Sequence, residues 1–393
     1  MKAGHAARIE GEVVTAGIRV GIIGLSATGG WAAGAHLPAL AAVPGYEVRG
    51  LSASSAESAR AAGEAYQVPN TFASAADLAA SEEIDLVVVT VQAARHRELV
   101  LPALAAGKSV YCEWPLAMSE DEAAEFVALA EQHGVRRTAV GLQARSAPVL
   151  RYLRDLIAEG WAGEVLSTSV VASGMAWGAE FAPRTAYNLS RAGGSTMLAI
   201  PFGHLIDVLC ACLGNFTEVG ALMANRRTVV HETGSGASAE MTSDDQIVVH
   251  GLLDGGAVAA LHFRGGRSAA TNLHWEINGT EGDLLVVGKH GHLQLSPVTL
   301  HGSRKGEPLH ELAVPDRYFT VPAFRDKADH PAANLAAAYA ALRAEWIGET
   351  IAAEDCVPDF AVGRQRHHLL DTITRAAASG ERLSLNGAVG SSA

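Results

Sequence analysis

In "PFGHLIDVLCACLG", His204 and Asp207 stand three residues apart, a spacing that puts both on one face of a helix opening at Pro201 and closing at Gly214. An imidazole that titrates near neutrality suits proton transfer, so His204 is a candidate acid/base with Asp207 beside it. A histidine satisfied within an apolar helix is the competing reading. Upstream, "APRTAYNLSRAGGS" offers the Tyr187 phenol as a donor near the cationic Arg184, and Trp177 presents a ring on which a pyranose face could pack. Arg145, in "LQARSAP", could bind a substrate hydroxyl or carboxylate, or form an interdomain salt bridge.

A second stretch, "VYCEWPLAMS", reads as the exit of a buried strand carrying Glu113, Trp114 and Pro115 in succession. Trp114 cannot accept a proton and has one weak donor. Its indole could stack on a ligand ring, or fill a cleft wall. The chain has five lysines, Lys2, Lys108, Lys289, Lys305 and Lys327. Lys108 begins the strand that ends at Glu113, at the end away from this chemistry, and the others fall outside the motifs.

The elements that must position these groups come in two styles. From Ile18 to about Leu142, short apolar runs ("IRVGIIG", "YEVRGLS", "DLVVVTV", "KSVYCE", "RTAVGL") alternate with alanine-rich helical stretches. That is the pattern of βαβ units on a doubly wound parallel sheet, a Rossmann domain. After "SAPVLRYLRDLIAEGWAGEV" the chain changes to long alternating runs such as "GEVLSTSVVASG", "NLHWEINGTEGDLLVVG" and "HLQLSPVTL", expected as strands of a large, mostly antiparallel sheet in an α+β domain. "LLDGGAVAAL" reads as a hairpin turning at Asp254-Gly255-Gly256. Helices over 201–213, 332–346 and 358–379 are expected to cover one face of that sheet. The expected division is a flexible N-terminus over 1–17, a dinucleotide-binding domain over 18–143, a substrate and oligomerisation domain over 144–385, and a flexible tail over 386–393.

Within "IRVGIIGLSATGGW", a glycine-rich turn follows the first strand and precedes a helix, the context in which backbone N–H groups face a pyrophosphate. Gly24, Leu25, Ser26, Thr28, Gly29 and Trp31 form this turn, which is longer than G-x-G-x-x-G and has Ser26 where the second glycine would stand. The plain alternative is a strand-to-helix turn. The second strand ends in "GLSASSAESAR" with no acid at its tip. Ser52, Ser54 and Ser55 could therefore donate to a 2′-phosphate while Arg60 supplies charge, favouring NADP over NAD mildly; helix capping by the serines is the alternative.

A net charge of −12 argues against a nucleic-acid surface, which needs clustered Lys and Arg. Four scattered cysteines suggest neither a disulfide framework nor a zinc site. His250, His262 and His274, evenly spaced, and the pair His367-His368 read as surface or interface histidines rather than metal ligands. No membrane-spanning run or signal pattern is present in this sequence, so a cytoplasmic location is expected.

The stretch "EIDLVVVTVQAARHRELVLPALAAGKSVYCEWPLAMS" resembles the Gfo/Idh/MocA oxidoreductase family, in which a strand, a helix begun near a histidine, an A-G-K turn and an E-K-P motif follow in that order. "IRVGIIGL", "GHLIDVLCACLG" and "NGTEGDLLV" add separate matches between Ile18 and Leu295. Within the family the chain is similar to the branch of the fungal galactose-pathway repressor in "GLSATGGW", "EWPLA", "LQARSAP" and "IPFGHLIDVL".

The resemblance implies an NAD or NADP cofactor, hydride transfer at nicotinamide C4, and a small sugar- or polyol-like substrate. It places Thr90, His96, Gln143 and Glu113 along the coenzyme, with Glu113 near the nicotinamide ribose, and His204 at the substrate. The family's proton-handling lysine and aspartate fall on Trp114 and Ile200. The competing implications are a catalytically silent NAD(P)-binding regulator, or an epimerase or lyase using its cofactor transiently. An apolar face on the second sheet would require cover, which makes a homodimer or homotetramer the expectation.

Overall fold

The computed structural model describes residues 17–304 and 306–385, so the segments expected to be flexible, 1–17 and 386–393, lie outside the described residues apart from Gly17. Six strands, β1 (Ile18–Ile23), β2 (Tyr46–Ser52), β3 (Asn70–Phe72), β4 (Leu86–Val89), β5 (Ser109–Glu113) and β6 (Thr138–Gly141), form a parallel sheet. Their order is β3-β2-β1-β4-β5-β6, the doubly wound Rossmann arrangement. β4 and β5 are buried at every residue, as strands covered on both faces must be, which is why "LVVV" and "SVYCE" read as unbroken runs. Of the intervening helices, Ala56–Tyr66 and Glu120–Gln132 start at side-chain caps: Ser55 accepts from the Ser58 N–H and Ser119 from the Glu122 N–H. β3 and the helix Ala75–Ala80 escaped the sequence reading, being three and six residues long, too short to show a period.

The second sheet has nine strands. Val165–Ser173 runs parallel to Val258–Arg264 at its centre, and its other neighbours pair antiparallel. The expected hairpin is present, Gln246–Leu253 joined to Val258–Arg264 through Gly256 at φ 87°. The inner face buries Val249, Phe263 and Trp275 among the residues of the helices Pro148–Ala158, Gly203–Leu213 and Phe360–Ser379. The outer face carries a transverse row, Leu222, Val248, His262, Val171 and His274, in register.

Three expectations need correction. The helix expected from Pro201 instead begins with a π-helical turn, Leu198–Phe202, that contains Pro201, and continues as Gly203–Leu213. "HLQL" is not a strand: residues 292–295 are loop and turn, and the strand is Val298–Arg304. The helix Ala333–Ile347 does not cover the second sheet. Its buried Leu335, Ala336, Tyr339 and Leu342 share one apolar cluster with Val20 and Tyr111 of the first sheet and Leu40 of the helix Leu37–Ala42.

Candidate coenzyme and substrate cleft

Strand order reverses between β1 and β4, and ligands of open α/β sheets sit at such a reversal, beyond the carboxyl ends of the strands. Here β1 runs into Gly24, held at φ 102°, where a Cβ would lie 2.8 Å from both Thr90 Oγ1 and Val91 Cγ1. Gly29 (98°) and Gly30 (117°) carry the chain onward with nothing within 4 Å of a would-be Cβ, leaving bare backbone facing open space. The helical run that follows starts as a π-helical turn, Ala32–His36, with no side-chain cap on its first N–H groups. Uncapped donors at a helix start beside glycine backbone suit a diphosphate. The longer loop closes on itself through Ser26 Oγ and Thr28 Oγ1 at 2.9 Å.

Two hollows meet around this turn, sharing Gly24, Val91 and Arg95. The first, about 560 Å³, is lined by Gly24, Leu25, Ser26, Ser52, Ser54, Ser58, Ser74 and Arg95. The second, about 640 Å³, is walled by Trp31, Thr90, Glu113, Trp114, Pro115, Trp177, Tyr187, His292 and Gln294. Strand positions assign their ends, with the β2 tip bordering the first hollow and the β4 and β5 tips the second.

Several residues expected along the coenzyme are elsewhere. Ser55 is spent as the helix cap, and exposed Arg60 pairs with Glu64 at 2.7 Å, one turn along the same helix. Thr28 and Gly29 belong to the turn without lining either hollow. The basic group that does line the first hollow is Arg95, whose Nε donates to Glu98 at 2.6 Å.

His96 is a strut. It is buried, with Nε2 3.0 Å from the Val91 carbonyl and Nδ1 3.2 Å from Cys112 Sγ, and burial pushes its pKa down. Nδ1 also lies 3.1 Å from the Leu116 carbonyl, so both ring nitrogens are engaged within the fold and none is left for a ligand. Gln143 is buried with its amide unpartnered, off both hollows.

The expected acid/base pair is also relocated. Asp207 is fully buried: Arg145 grips it from Nε at 2.6 Å and from Nη2, while Arg366 Nε donates at 2.9 Å. Burial alone would raise its pKa, but the Arg145 and Arg366 charges prevail and hold the carboxyl below its usual range. Asp207 and Arg145 are therefore each other's partners, the salt-bridge alternative for Arg145, and neither lines the cleft.

His204 is 1% exposed, lies 5.6 Å ring to ring from His292, and is pushed by burial down to about 4. It is neutral at pH 7 and stands behind the wall rather than on it. Tyr187 and Trp177 do reach the second hollow, whereas Arg184 is exposed and outside it. Trp177 has a left-handed φ of 58°, and its indole donates to the Asn188 carbonyl at 3.0 Å.

Trp114 is built in. Its Nε1 donates to the Ala199 carbonyl at 2.7 Å, within the π-helical turn Leu198–Phe202. The ring packs on His367 at 4.7 Å, and only glycine fits opposite it, since a Cβ on Gly203 would lie 2.6 Å from the indole nitrogen. The following peptide, Trp114–Pro115, is cis.

Glu113, beside it, is tied by Oε1 to His36 Nε2 at 3.0 Å, and His36 Nδ1 meets the Tyr339 hydroxyl at 2.8 Å. Sequence reasoning missed His36, Tyr339, Arg95, His292 and Gln294. The first two sit in ordinary helical patterns 303 residues apart, and His292 was hidden in a run read as strand. Among the described residues no group of three His, Cys, Asp or Glu could hold a metal ion, and no helix is long and apolar enough to cross a membrane.

The fold and cleft define a two-domain protein with an NAD-binding Rossmann fold, and comparison with known proteins agrees. Residues 18–142 match the oxidoreductase family with NAD-binding Rossmann fold, and residues 148–288 match the Gal80p C-terminal domain. The galactose/lactose metabolism regulatory protein GAL80 of Saccharomyces cerevisiae is 30% identical over 308 residues, 73% of this chain and 70% of that protein. The dehydrogenase aclE of Aspergillus oryzae is 30% identical over 283 residues, 69% and 77% of the two chains.

The crystal structure of a Gal80p super-repressor mutant from Saccharomyces cerevisiae superposes with a TM-score of 0.85 at 24% identity, covering 94% of this chain and 98% of that one. Levoglucosan dehydrogenase complexed with NADH and levoglucosan gives 0.77 at 20% identity, covering 94% and 100%. The chain belongs to the Gfo/Idh/MocA oxidoreductase family, in a branch that resembles the galactose repressor.

Proposed function

We propose that this chain is an NAD(P)-dependent oxidoreductase acting on a sugar, polyol or related hydroxylated metabolite. The observation that carries the reading is one cleft in which bare glycine backbone and an uncapped helix start open onto a wall of Trp31, Trp114, Trp177 and Tyr187. Aromatic faces of this kind pack on sugar rings, and a polar tip such as the Tyr187 hydroxyl can meet a substrate oxygen. When bound, the dinucleotide supplies hydride exchange at nicotinamide C4. The chain's part is to hold it on the Gly24–Gly30 turn, exclude water with the indoles, and place a proton-bearing group at the reacting oxygen. With His204 neutral and set back, Tyr187 takes that role.

Ser52 and Ser54 with Arg95 in the first hollow, and no acid at the β2 tip, keep NADP as the preferred form. A small-molecule substrate, a cytoplasmic location and a homodimer or homotetramer joined through the outer sheet face, where Leu222, Val258 and Val171 are exposed, complete the proposal.

Tryptophan-quenching titrations with NAD, NADH, NADP and NADPH, followed by absorbance assays on a sugar panel, test it. Binding with turnover supports it; tight binding with no turnover on any substrate overturns the enzyme reading. That second outcome favours the regulator, a reading supported by Trp114 and Ile200 at the proton-handling positions and by the buried ion pair of Asp207.

A further inference from the structure

Glu113 is the one carboxylate on the second hollow, and its surroundings prepare it for a specific task. It is 8% exposed at the β5 tip, where Gly141 leaves room: a Cβ there would press within 2.9 Å of the carboxyl. His36 is 0% exposed and has two partners, Glu113 Oε1 and the Tyr339 hydroxyl, both in hydrogen-bond range. Tyr339 is itself fully buried, edge-on to His36 at 5.9 Å, and among the described residues its hydroxyl bonds to the imidazole.

A carboxylate oxygen accepts, so Nε2–H of His36 faces Glu113 and Nδ1 is left to meet the Tyr339 hydroxyl. The Tyr339 O–H donates to Nδ1, Nε2–H donates to Glu113, and the carboxylate is the terminal acceptor. Burial pushes the Tyr339 phenol well above its usual range, which keeps it a donor. The network thus orients Glu113 and leaves its negative charge at the edge of the cleft.

We infer that Glu113, positioned by His36 and Tyr339, makes the cleft discriminate the charge of the nicotinamide ring, binding the oxidised, cationic dinucleotide in preference to the reduced one. The inference rests on the dinucleotide reading above but holds for an enzyme and a regulator alike. Topology supplies the placement, because the β4 and β5 tips border the hollow opposite the adenosine-side serines. A carboxylate at the edge of the cleft contributes a charge interaction with a cationic ring that a neutral ring does not feel.

Among the residues that line this hollow, Arg95 is the one full cation, and it stands at the junction shared with the first hollow. Arg95 is matched by Glu98, and Tyr111, packed 5.6 Å from His36, is held protonated by burial. Burial likewise keeps His204 and His292 neutral, and Tyr187 is a phenol on the far wall.

The test measures the ratio of NADH to NAD dissociation constants on the full chain, with NADPH and NADP in parallel, by tryptophan quenching at pH 7.5. Wild type should favour the oxidised form, and Glu113→Gln, which keeps shape and removes charge, should shift the ratio toward the reduced form by roughly tenfold. Tyr339→Phe, which removes a single hydroxyl, should shift it part of the way, about threefold. His36→Gln, which keeps an amide donor to Glu113, should stay nearer wild type than His36→Phe. An unchanged ratio in Glu113→Gln with binding intact overturns the inference alone. Failure of wild type to bind any dinucleotide overturns the dinucleotide reading and the inference with it.

Discussion

The two hollows of the cleft are made of different material. Around Gly24 the site is mostly main chain and small side chains: Gly24 at positive φ on the hollow itself, the Gly29–Gly30 turn and uncapped helix start beyond it, and a row of serines and alanines. Around Trp114 it is side chain, and the groups that would carry charge have been turned inward. Asp207 is clasped by Arg145 and Arg366, and His204 and His367 are buried and neutral. A backbone-built site survives wide drift in sequence, because glycine geometry and strand order are its only requirements. A side-chain site changes its chemistry with two substitutions while the surrounding packing adapts.

The sharpest way to break the comparison is at the inward-turned charge. Replacing Asp207 with alanine leaves two guanidinium groups buried together without their carboxylate, which costs about 3–5 kcal/mol. Urea unfolding followed by circular dichroism should show that loss, with dinucleotide affinity per folded molecule unchanged. A loss below about 1 kcal/mol would mean that Asp207 is not the keystone of this wall.

Next in size is a pH effect. His367 stacks on Trp114, accepts the Ala117 N–H at Nε2, 3.2 Å away, and is pushed by burial to about 4. Its folded pKa lies below the ordinary histidine value near 6.5, so folding favours the neutral ring. The stability that this confers is complete above pH 6.5 and is lost as the pH falls from there through about 4. The full shift corresponds to about 3 kcal/mol, and His204, also near 4, adds a comparable amount. Unfolding free energies between pH 7.5 and 4 should fall accordingly, and His367→Gln should flatten its share. A slope indifferent to His367→Gln would place the acid sensitivity elsewhere.

How much of this was legible in the sequence follows the same division. The doubly wound sheet, the hairpin at Gly256 and the glycine turn all announce themselves locally, through apolar runs of strand length and residues that tolerate positive φ. The wall does not. Arg145 and Asp207 were read as two separate candidates because nothing local shows that residues 62 positions apart are bound to each other. Glu113 was visible, but His36 and Tyr339, which govern it, lie 77 and 226 positions away in helices whose patterns mark them as packing residues. Pro201 looks like a helix start because proline is favoured at the first position; the π-helical turn that houses it accepts a hydrogen bond from Trp114, 85 positions away beyond the end of β5.

The hollow at Gly24 can be broken by adding a single side chain. At Gly24 any Cβ meets Thr90 and Val91, and φ of 102° is unfavourable for any L side chain. Gly24→Val should weaken every dinucleotide at least tenfold in quenching titrations, oxidised and reduced alike, because it displaces the turn rather than any charge. A selective loss of one redox form would show that this turn does more than cradle phosphates.

The smallest expected effect sharpens the comparison further. Arg60 was the expected source of charge for a 2′-phosphate, yet its guanidinium is 64% exposed, pairs with Glu64 within its own helix, and lines neither hollow. An exposed i,i+4 pair is worth about 0.3–0.5 kcal/mol to the helix and contributes nothing at a distance that solvent screens. Arg60→Ala should therefore change NADP affinity less than twofold, whereas Arg95→Ala, which removes the cation at the junction of the two hollows, should reduce it severalfold and affect NAD less. If Arg60→Ala is the variant that discriminates NADP from NAD, the helix after β2 must rotate toward the coenzyme on binding, and the first hollow would prove as dependent on mobile side chains as the second.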